Sequence, residues 1–194
     1  MTAPLIFAIT GASGAPYAVR LLHQLVRYEV PVSLILSSHG ARLLATETSV
    51  RGMTGLRRAA GAKAFDKFVT VYDDKDRGAA PASGSAPSRG MVVCPCSMGT
   101  LSAIAQGSSR SLVERAADVV LKERRKLLLV TRETPLSSIH LENMLRVTNA
   151  GALVMPAAPG FYHKPTRVED LVDFIVARVL DQLGVANDVA PRWG

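Results

Sequence analysis

The sequence predicts an α/β fold, a doubly wound and mostly parallel sheet with helices on both faces. Three observations carry that expectation. Short apolar runs recur without polar alternation, each is followed by a glycine- or serine-rich turn, and each turn leads into an amphipathic or small-residue helix. Strands that are apolar throughout are buried on both sides, as in a parallel sheet wrapped by crossover helices. A length of 194 residues with 48% apolar and 20% charged residues suits one hydrophobic core, so a single domain over 1–194 is expected, with no internal repeat.

Taken in order, residues 5–10 (LIFAIT) form the first strand, which ends in Gly11-Ala12-Ser13-Gly14-Ala15-Pro16. The amphipathic stretch that follows carries Val19, Leu22, Leu25 and Val26 on one side and ends near Tyr28. A second strand is expected over 32–37 (VSLILS), then a helix from His39 to Thr48. The third, 91–94 (MVVC), runs into Pro95-Cys96-Ser97-Met98-Gly99-Thr100 and a small-residue helix. Ser111 and Glu114 have capping-box spacing at the start of another helix, near Leu112.

The fourth strand, 127–131 (LLLVT), ends in Arg132-Glu133-Thr134-Pro135. Thr134 as N-cap and Pro135 at the first helical position predict a helix through Leu145. The fifth strand, 152–155 (ALVM), leads into Pro156-Ala157-Ala158-Pro159-Gly160-Phe161-Tyr162. Thr166 and Glu169 form a second capping-box pattern, and the helix they open has Leu171, Val172, Ile175, Val179 and Leu183 on its apolar side. Residues 78–90 (GAAPASGSAPSRG) have the composition of a linker, yet they lie inside a domain too small to divide. Composition leaves linker and site loop both open.

A net charge of +7 raises nucleic-acid binding. Aromatic residues make up only 5% and no nucleic-acid motif is present, so the excess charge is assigned to a small anionic ligand and ordinary surface. No run reaches the ~18 apolar residues of a membrane span. The chain enters Leu5–Ile9 without a preceding basic region, so no secretory signal is expected and a cytoplasmic location is. Cys94 and Cys96 flank Pro95 and lack the spacing of a redox pair. The four histidines (His23, His39, His140, His163) show no companion spacing for zinc, so the cysteines read as packing thiols and no metal is implied.

In open α/β sheets, ligands bind beyond the carboxyl ends of the strands. Those ends carry Gly11-Ala12-Ser13-Gly14, Ser37-Ser38, Ser97-Met98-Gly99-Thr100, Arg132-Glu133 and Gly160-Phe161-Tyr162, all facing one edge. Gly11–Gly14 fits a single phosphate at a helix N-terminus, or merely a tight connection. It matches neither the dinucleotide Gly-x-Gly-x-x-Gly pattern nor a P-loop. Arg115 and Lys122 are two helical turns apart on one face, Arg132 ends a strand, and Arg178 lies on the last helix. Taken individually, each is more often a solvated surface charge than a ligand, and the run Lys122–Lys126 suits a helix C-terminus. The residues alone define a phosphate-binding α/β domain.

Longer strings resemble the UbiX-type flavin prenyltransferases: Gly11–Tyr17, Cys94–Leu101, Arg115–Val119 with Leu121–Arg125, Arg132–Leu136 and Pro159–Tyr162. The resemblance spans nearly the whole chain and implies a Rossmann-like flavoprotein that holds FMN through Gly11, Ala12, Ser13, Ser37, Ser97, Met98, Gly99, Thr100 and Arg132. It implies a substrate phosphate held by Arg115, Lys122, Arg132, Tyr162 and Arg178 with Ser13 nearby, and proton handling by Glu47 and Glu133. It also assigns Ser83-Gly84-Ser85 to a site loop and Trp193 to an aromatic that approaches the site. Ala18 and Thr131 depart from the usual residues at positions that are not ligands.

The implied reaction joins dimethylallyl monophosphate to N5 and C6 of reduced FMN without a metal. The resemblance further implies a homododecamer with sites shared between subunits and a product used by a UbiD-type decarboxylase. Two rivals remain in view. A flavin-dependent peptidyl-cysteine decarboxylase shares the fold but uses a catalytic histidine, for which His39, His140 and His163 lack a matching context. The other is a non-catalytic FMN carrier, or subunit of an aromatic-acid decarboxylase.

Overall fold

The computed structural model describes residues 3–192. Six parallel strands form one sheet in the order β3-β2-β1-β4-β5-β6. These are β1 (Leu5–Ile9), β2 (Val32–Leu36), β3 (Val69–Tyr72), β4 (Met91–Cys96), β5 (Leu127–Thr131) and β6 (Leu153–Pro156). The helices are α1 (Ala15–Arg27), α2 (Ser38–Glu47), α3 (Gly52–Ala59), α4 (Ala62–Phe68), α5 (Met98–Ala105), α6 (Leu112–Lys122), α7 (Ser138–Asn149) and α8 (Val168–Gln182).

Side-chain alternation explains the unbroken apolar runs. Leu5, Phe7 and Ile9 point to one face with Val32, Leu34, Val92, Leu128 and Val130, where α1, α2, α3, α4 and α8 cover them. Ile6 and Ala8 point to the other with Ile35, Met91, Val93, Leu127 and Leu129, under α5, α6 and α7. Phe7 lies opposite Leu34 on one side and Val92 on the other, and is fully buried. Burying a side chain of that size contributes about 1.5–3 kcal/mol. Strand order reverses between β1 and β4, where α1 leaves toward one face and α5 toward the other. That reversal is the switch point at which such sheets bind ligands.

The five expected strands are present, and β3 is added. Val69–Tyr72 is a short edge strand, half-exposed, with Val71 at 42% exposure, so it lacks the apolar run that marks its neighbours. Two helix starts differ from expectation. The helix after β5 begins at Ser138, not Pro135; Ser137 is its N-cap, and the His140 ring closes the box by accepting from the Ser137 amide. The last helix begins at Val168, with Asp170 rather than Glu169 accepting from the Thr166 and Arg167 amides. At α6 the Ser111 hydroxyl accepts from the Glu114 amide as expected, but the Glu114 carboxylate turns to the Arg110 amide and guanidinium.

Segment 78–90 is pinned to the body rather than strung as a linker. It holds a short 3-10 turn, Ala80–Ala82, with Pro81 and Ala82 buried. The Arg125 guanidinium donates to the carbonyls of Gly84 (2.7 Å) and Ala86 (2.9 Å) and to the Ser88 hydroxyl (3.2 Å). No helix among the described residues is long and apolar enough to cross a membrane.

Candidate active site

At the switch point, the end of β1 ties two neighbouring turns together. The Thr10 hydroxyl donates to the Pro95 carbonyl (2.8 Å) and accepts from the Ser97 amide (3.0 Å). The Ile9 carbonyl accepts from the Ser37 amide (3.1 Å). Ser37 and Ser97 are thereby fixed as N-caps of α2 and α5, accepting from Gly40 and Thr100 respectively. Two helix N-termini, each with unpaired amides and a positive dipole end, converge there.

Between them lies a cleft of about 630 Å³. Thr10, Gly11, Ser37, Ser38 and His39 form one wall and Ser97, Met98, Gly99 and Thr100 the opposite one. Asp74, Arg110, Ser111, Val113, Glu114 and Glu133 complete it. The volume lies within the range of cofactor sites. Gly11 admits no side chain, because a Cβ there would run into the His39 Cβ. A Cβ on Gly99 would meet nothing closer than the Ser97 hydroxyl at 3.9 Å, so the α5 backbone stays open to a ligand. Hydroxyls, amides and open backbone make a donor set that fits a flavin mononucleotide.

A second knot flanks this cleft. Gly14, at φ 124° and with Tyr17 crowding any Cβ, turns the chain into α1. One Glu47 oxygen accepts from the amides of Gly14 and Ala15, both at 2.8 Å, and the carboxylate also bonds the Ser13 hydroxyl. Arg132 Nε donates to the Ser13 carbonyl (3.2 Å) and its charge reaches Glu47. Burial opposes ionisation of Glu47. The Gly14 amide, the Ser13 hydroxyl, the Ala15 amide and Arg132 together outweigh it and hold the carboxyl below its usual value. Ser13, Glu47 and Arg132 therefore act as one unit, with a cation held beside a helix N-terminus.

That lowered value fixes a sign. A carboxylate whose folded pKa lies below its unfolded one adds stability above the unfolded value, lost as pH falls through the folded one. Glu47→Gln is therefore expected to remove part of the acid-induced loss of stability below about pH 4.3. Urea midpoints measured against pH check it; parallel curves for the two proteins would refute the coupling.

The structure brings Gly11, Ser37, Ser97, Met98, Gly99, Thr100 and Glu133 into the cleft, and sets Ser13, Glu47 and Arg132 in the flanking knot. Ala12 is buried in the connecting turn. Four residues stand elsewhere. Arg115 is paired with Asp118 at 2.8 Å, and Lys122 with Glu123. Helix α6 meets the cleft with its first turn, and Lys122 lies at its other end, about 10 Å beyond Arg115, beside Gly84. Tyr162 and Arg178 line a separate cleft of about 230 Å³ with Phe174, Asp181 and Arg192. Trp193 lies outside the described residues. Cys94 and Cys96 are free and buried; burial pushes both thiols up, Cys96 to about 12.

Sequence reasoning missed Thr10, His39, Asp74 and Arg110. Thr10 carried a signal, since a hydroxyl ending the apolar run LIFAIT must find partners if buried. Thr10→Val keeps the shape but strands the Ser97 amide, at a cost of about 1–3 kcal/mol. We expect lower stability together with FMN binding weakened about tenfold, as the β4–α5 turn slackens. Fluorescence titration with FMN checks this; wild-type affinity would show that the turn holds without its hydroxyl tie.

A parallel α/β sheet with two serine-capped helix N-termini at its switch point defines the nucleotide-binding class. Residues 2–180 match the Flavoprotein family profile. The chain is 53% identical over 197 residues to the flavin prenyltransferase UbiX of Pseudomonas aeruginosa, covering 98% of this chain and 93% of that one. The solved UbiX PadA1, in complex with FMN and dimethylallyl pyrophosphate, has a TM-score of 0.92 and 41% identity over 100% of this chain and 98% of that one. A dodecameric FMN-dependent UbiX-like decarboxylase from Escherichia coli O157:H7 has a TM-score of 0.90 and 43% identity, covering 98% and 99%. The chain belongs to the Flavoprotein family and, within it, to the UbiX flavin prenyltransferases.

Proposed function

We propose that this enzyme, one domain over 1–194, transfers a dimethylallyl group from dimethylallyl monophosphate to N5 and C6 of reduced FMN. The observation that carries the reading is the switch-point cleft, where Gly11, Ser37 and Ser97–Thr100 converge beside the knot of Ser13, Glu47 and Arg132. In this reading Gly11, Ala12, Ser13, Ser37, Ser97, Met98, Gly99, Thr100 and Arg132 hold FMN. Bound reduced FMN supplies the nucleophilic ring positions.

The protein's own task is to let an allylic carbon–oxygen bond break. Negative charge grows on the departing phosphate, and preorganised cations stabilise it without moving. Arg132 is held for this by the Ser13 carbonyl. Tyr162 and Arg178, which line the separate cleft, supply a hydroxyl donor and a second guanidinium from a neighbouring copy, and Arg115 and Lys122 further charge. Glu133, Glu47 and Ser13 handle protons, Glu133 from the cleft wall and the other two from the α1 N-terminus.

Lys122 stands at the far end of α6 from its own cleft, which supports a homo-oligomer, a dodecamer in this reading, in which Arg115 and Lys122 serve a neighbouring copy. The product is passed to a UbiD-type decarboxylase. We place the protein in the cytoplasm, where the thiols of Cys94 and Cys96 stay reduced. Anaerobic incubation with reduced FMN and dimethylallyl monophosphate, then mass spectrometry of the released flavin, tests the reaction. A flavin heavier by one prenyl unit is expected; FMN recovered unchanged would leave a carrier or a decarboxylase.

A further inference from the structure

The cleft that contains Tyr162 and Arg178 holds a cation with no role so far. Its walls include Arg178, Asp181 and Arg192, and Asp181 is the centre of the arrangement. Arg192 grips it as a fork, Nη2 on Oδ1 at 2.8 Å and Nη1 on Oδ2 at 3.1 Å. Asn187 donates to Oδ1 at 3.0 Å, and Arg178 reaches Oδ2 only at 3.3 Å. The side chain of Asp181 is 20% exposed, whereas those of Arg178 and Arg192 are 55% and 60% exposed. One sheltered carboxylate thus fixes two largely exposed guanidinium groups, and Arg192 Nη2 also donates to the Asn187 carbonyl at 3.4 Å. Among the described residues, two cations meet one anion in this cleft, which Tyr162 also lines.

We propose that Arg192 is a further phosphate-binding residue of the substrate site, and that Asp181 is the positioning residue presenting Arg192 and Arg178 side by side. The proposal rests on the prenyltransferase reading and extends its phosphate site to the carboxyl-terminal segment. A guanidinium has five donors in a planar fork. With Nη1 and Nη2 on Asp181 and Nη2 also on the Asn187 carbonyl, the Nε hydrogen and the second Nη1 hydrogen of Arg192 are left to meet an anion. Because Arg192 takes the stronger hold on Asp181, Arg178 stays loosely tied and free to turn toward the phosphate. Binding the substrate anion and holding Arg192 against α8 are then one event, since the same two arginines and one carboxylate serve both.

The test compares wild type, Arg192→Gln and Arg192→Lys in prenyl transfer, with KM for dimethylallyl monophosphate and inhibition by the neutral prenyl alcohol measured in each. A phosphate contact predicts that Gln raises KM about tenfold or more, leaves the alcohol's inhibition constant unchanged, and is largely rescued by Lys. A wild-type KM in the Gln variant overturns the proposal. So does a loss that strikes alcohol and phosphate alike and that Lys fails to rescue, because that is the mark of a packing role. A wild-type protein that leaves FMN unprenylated overturns the proposed activity instead. Calorimetric titration of wild type and Arg192→Gln with inorganic phosphate then decides Arg192 by itself, equal affinities counting against it.

Discussion

Arg132→Ala is expected to lower the rate of prenyl transfer by about 10²–10³-fold, the usual consequence of deleting one preorganised electrostatic donor worth ~2.7–4 kcal/mol. The size follows from where the side chain is held. Arg132 leaves the end of β5, is half-buried, and bonds the Ser13 carbonyl, so its charge sits at the positive end of α1. Two like fields face one point, which is costly unless an anion occupies it. Glu47 takes up part of that field through the Gly14 and Ala15 amides, and the departing phosphate would take up the rest. Arg132→Lys should recover only a small part of the rate, because one ammonium cannot hold the Ser13 carbonyl and an incoming anion together as a planar guanidinium does. Single-turnover kinetics with FMN already bound isolates the chemical step. A rate within a few-fold of wild type in the alanine variant would remove Arg132 from the reaction.

The same residues show what a sequence can and cannot reveal about this molecule. Leu5–Ile9 and Leu127–Thr131 are visible because both faces of a central parallel strand must be apolar, and chance rarely writes four or five such residues in a row between turns. Val69–Tyr72 is invisible because an edge strand packs one side loosely and carries no such constraint. Thr134-Pro135 imitates a helix start. The chain instead continues to Ser137, where a serine and the His140 ring satisfy the first amides equally well. Local capping chemistry offers several nearby solutions, and tertiary packing chooses among them.

The candidate site divides in the same manner. Ser37 and Ser97 were readable, since strand ends at a switch point are where ligands bind and serine caps helices. The link from Thr10 to Pro95 and Ser97 spans more than 80 residues of sequence, and no pattern along the chain encodes it. Arg125 looked like one charge in a basic run, yet it fastens the 84–88 segment through three hydrogen bonds. Arg115 and Lys122 share a helix face as their spacing indicated. The spacing could not reveal that the helix carries Lys122 away from its own cleft. Spacing fixes a face; only the fold fixes which end of the sheet that face approaches.

Glu133→Gln should slow prenyl transfer about 100-fold, the lower end of what a positioned acid or base contributes, while leaving FMN affinity unchanged. The substitution is clean. Glu133 Oε1 accepts from the Thr134 amide at 3.1 Å, and a glutamine carbonyl can do the same, so the β5 exit keeps its shape. Only the capacity to hold or release a proton is lost. Glu133 lines the cleft, and Arg132, the residue before it, belongs to the flanking knot. Two transfers are within its remit: a proton onto the departing phosphate oxygen, or one off the flavin ring. Comparing dimethylallyl monophosphate with the diphosphate separates them, because a diphosphate needs less protonation to leave. A defect that shrinks with the diphosphate assigns the proton to the leaving group. A defect of equal size with both assigns it to the ring. Unchanged turnover with both substrates would take Glu133 out of the chemistry altogether.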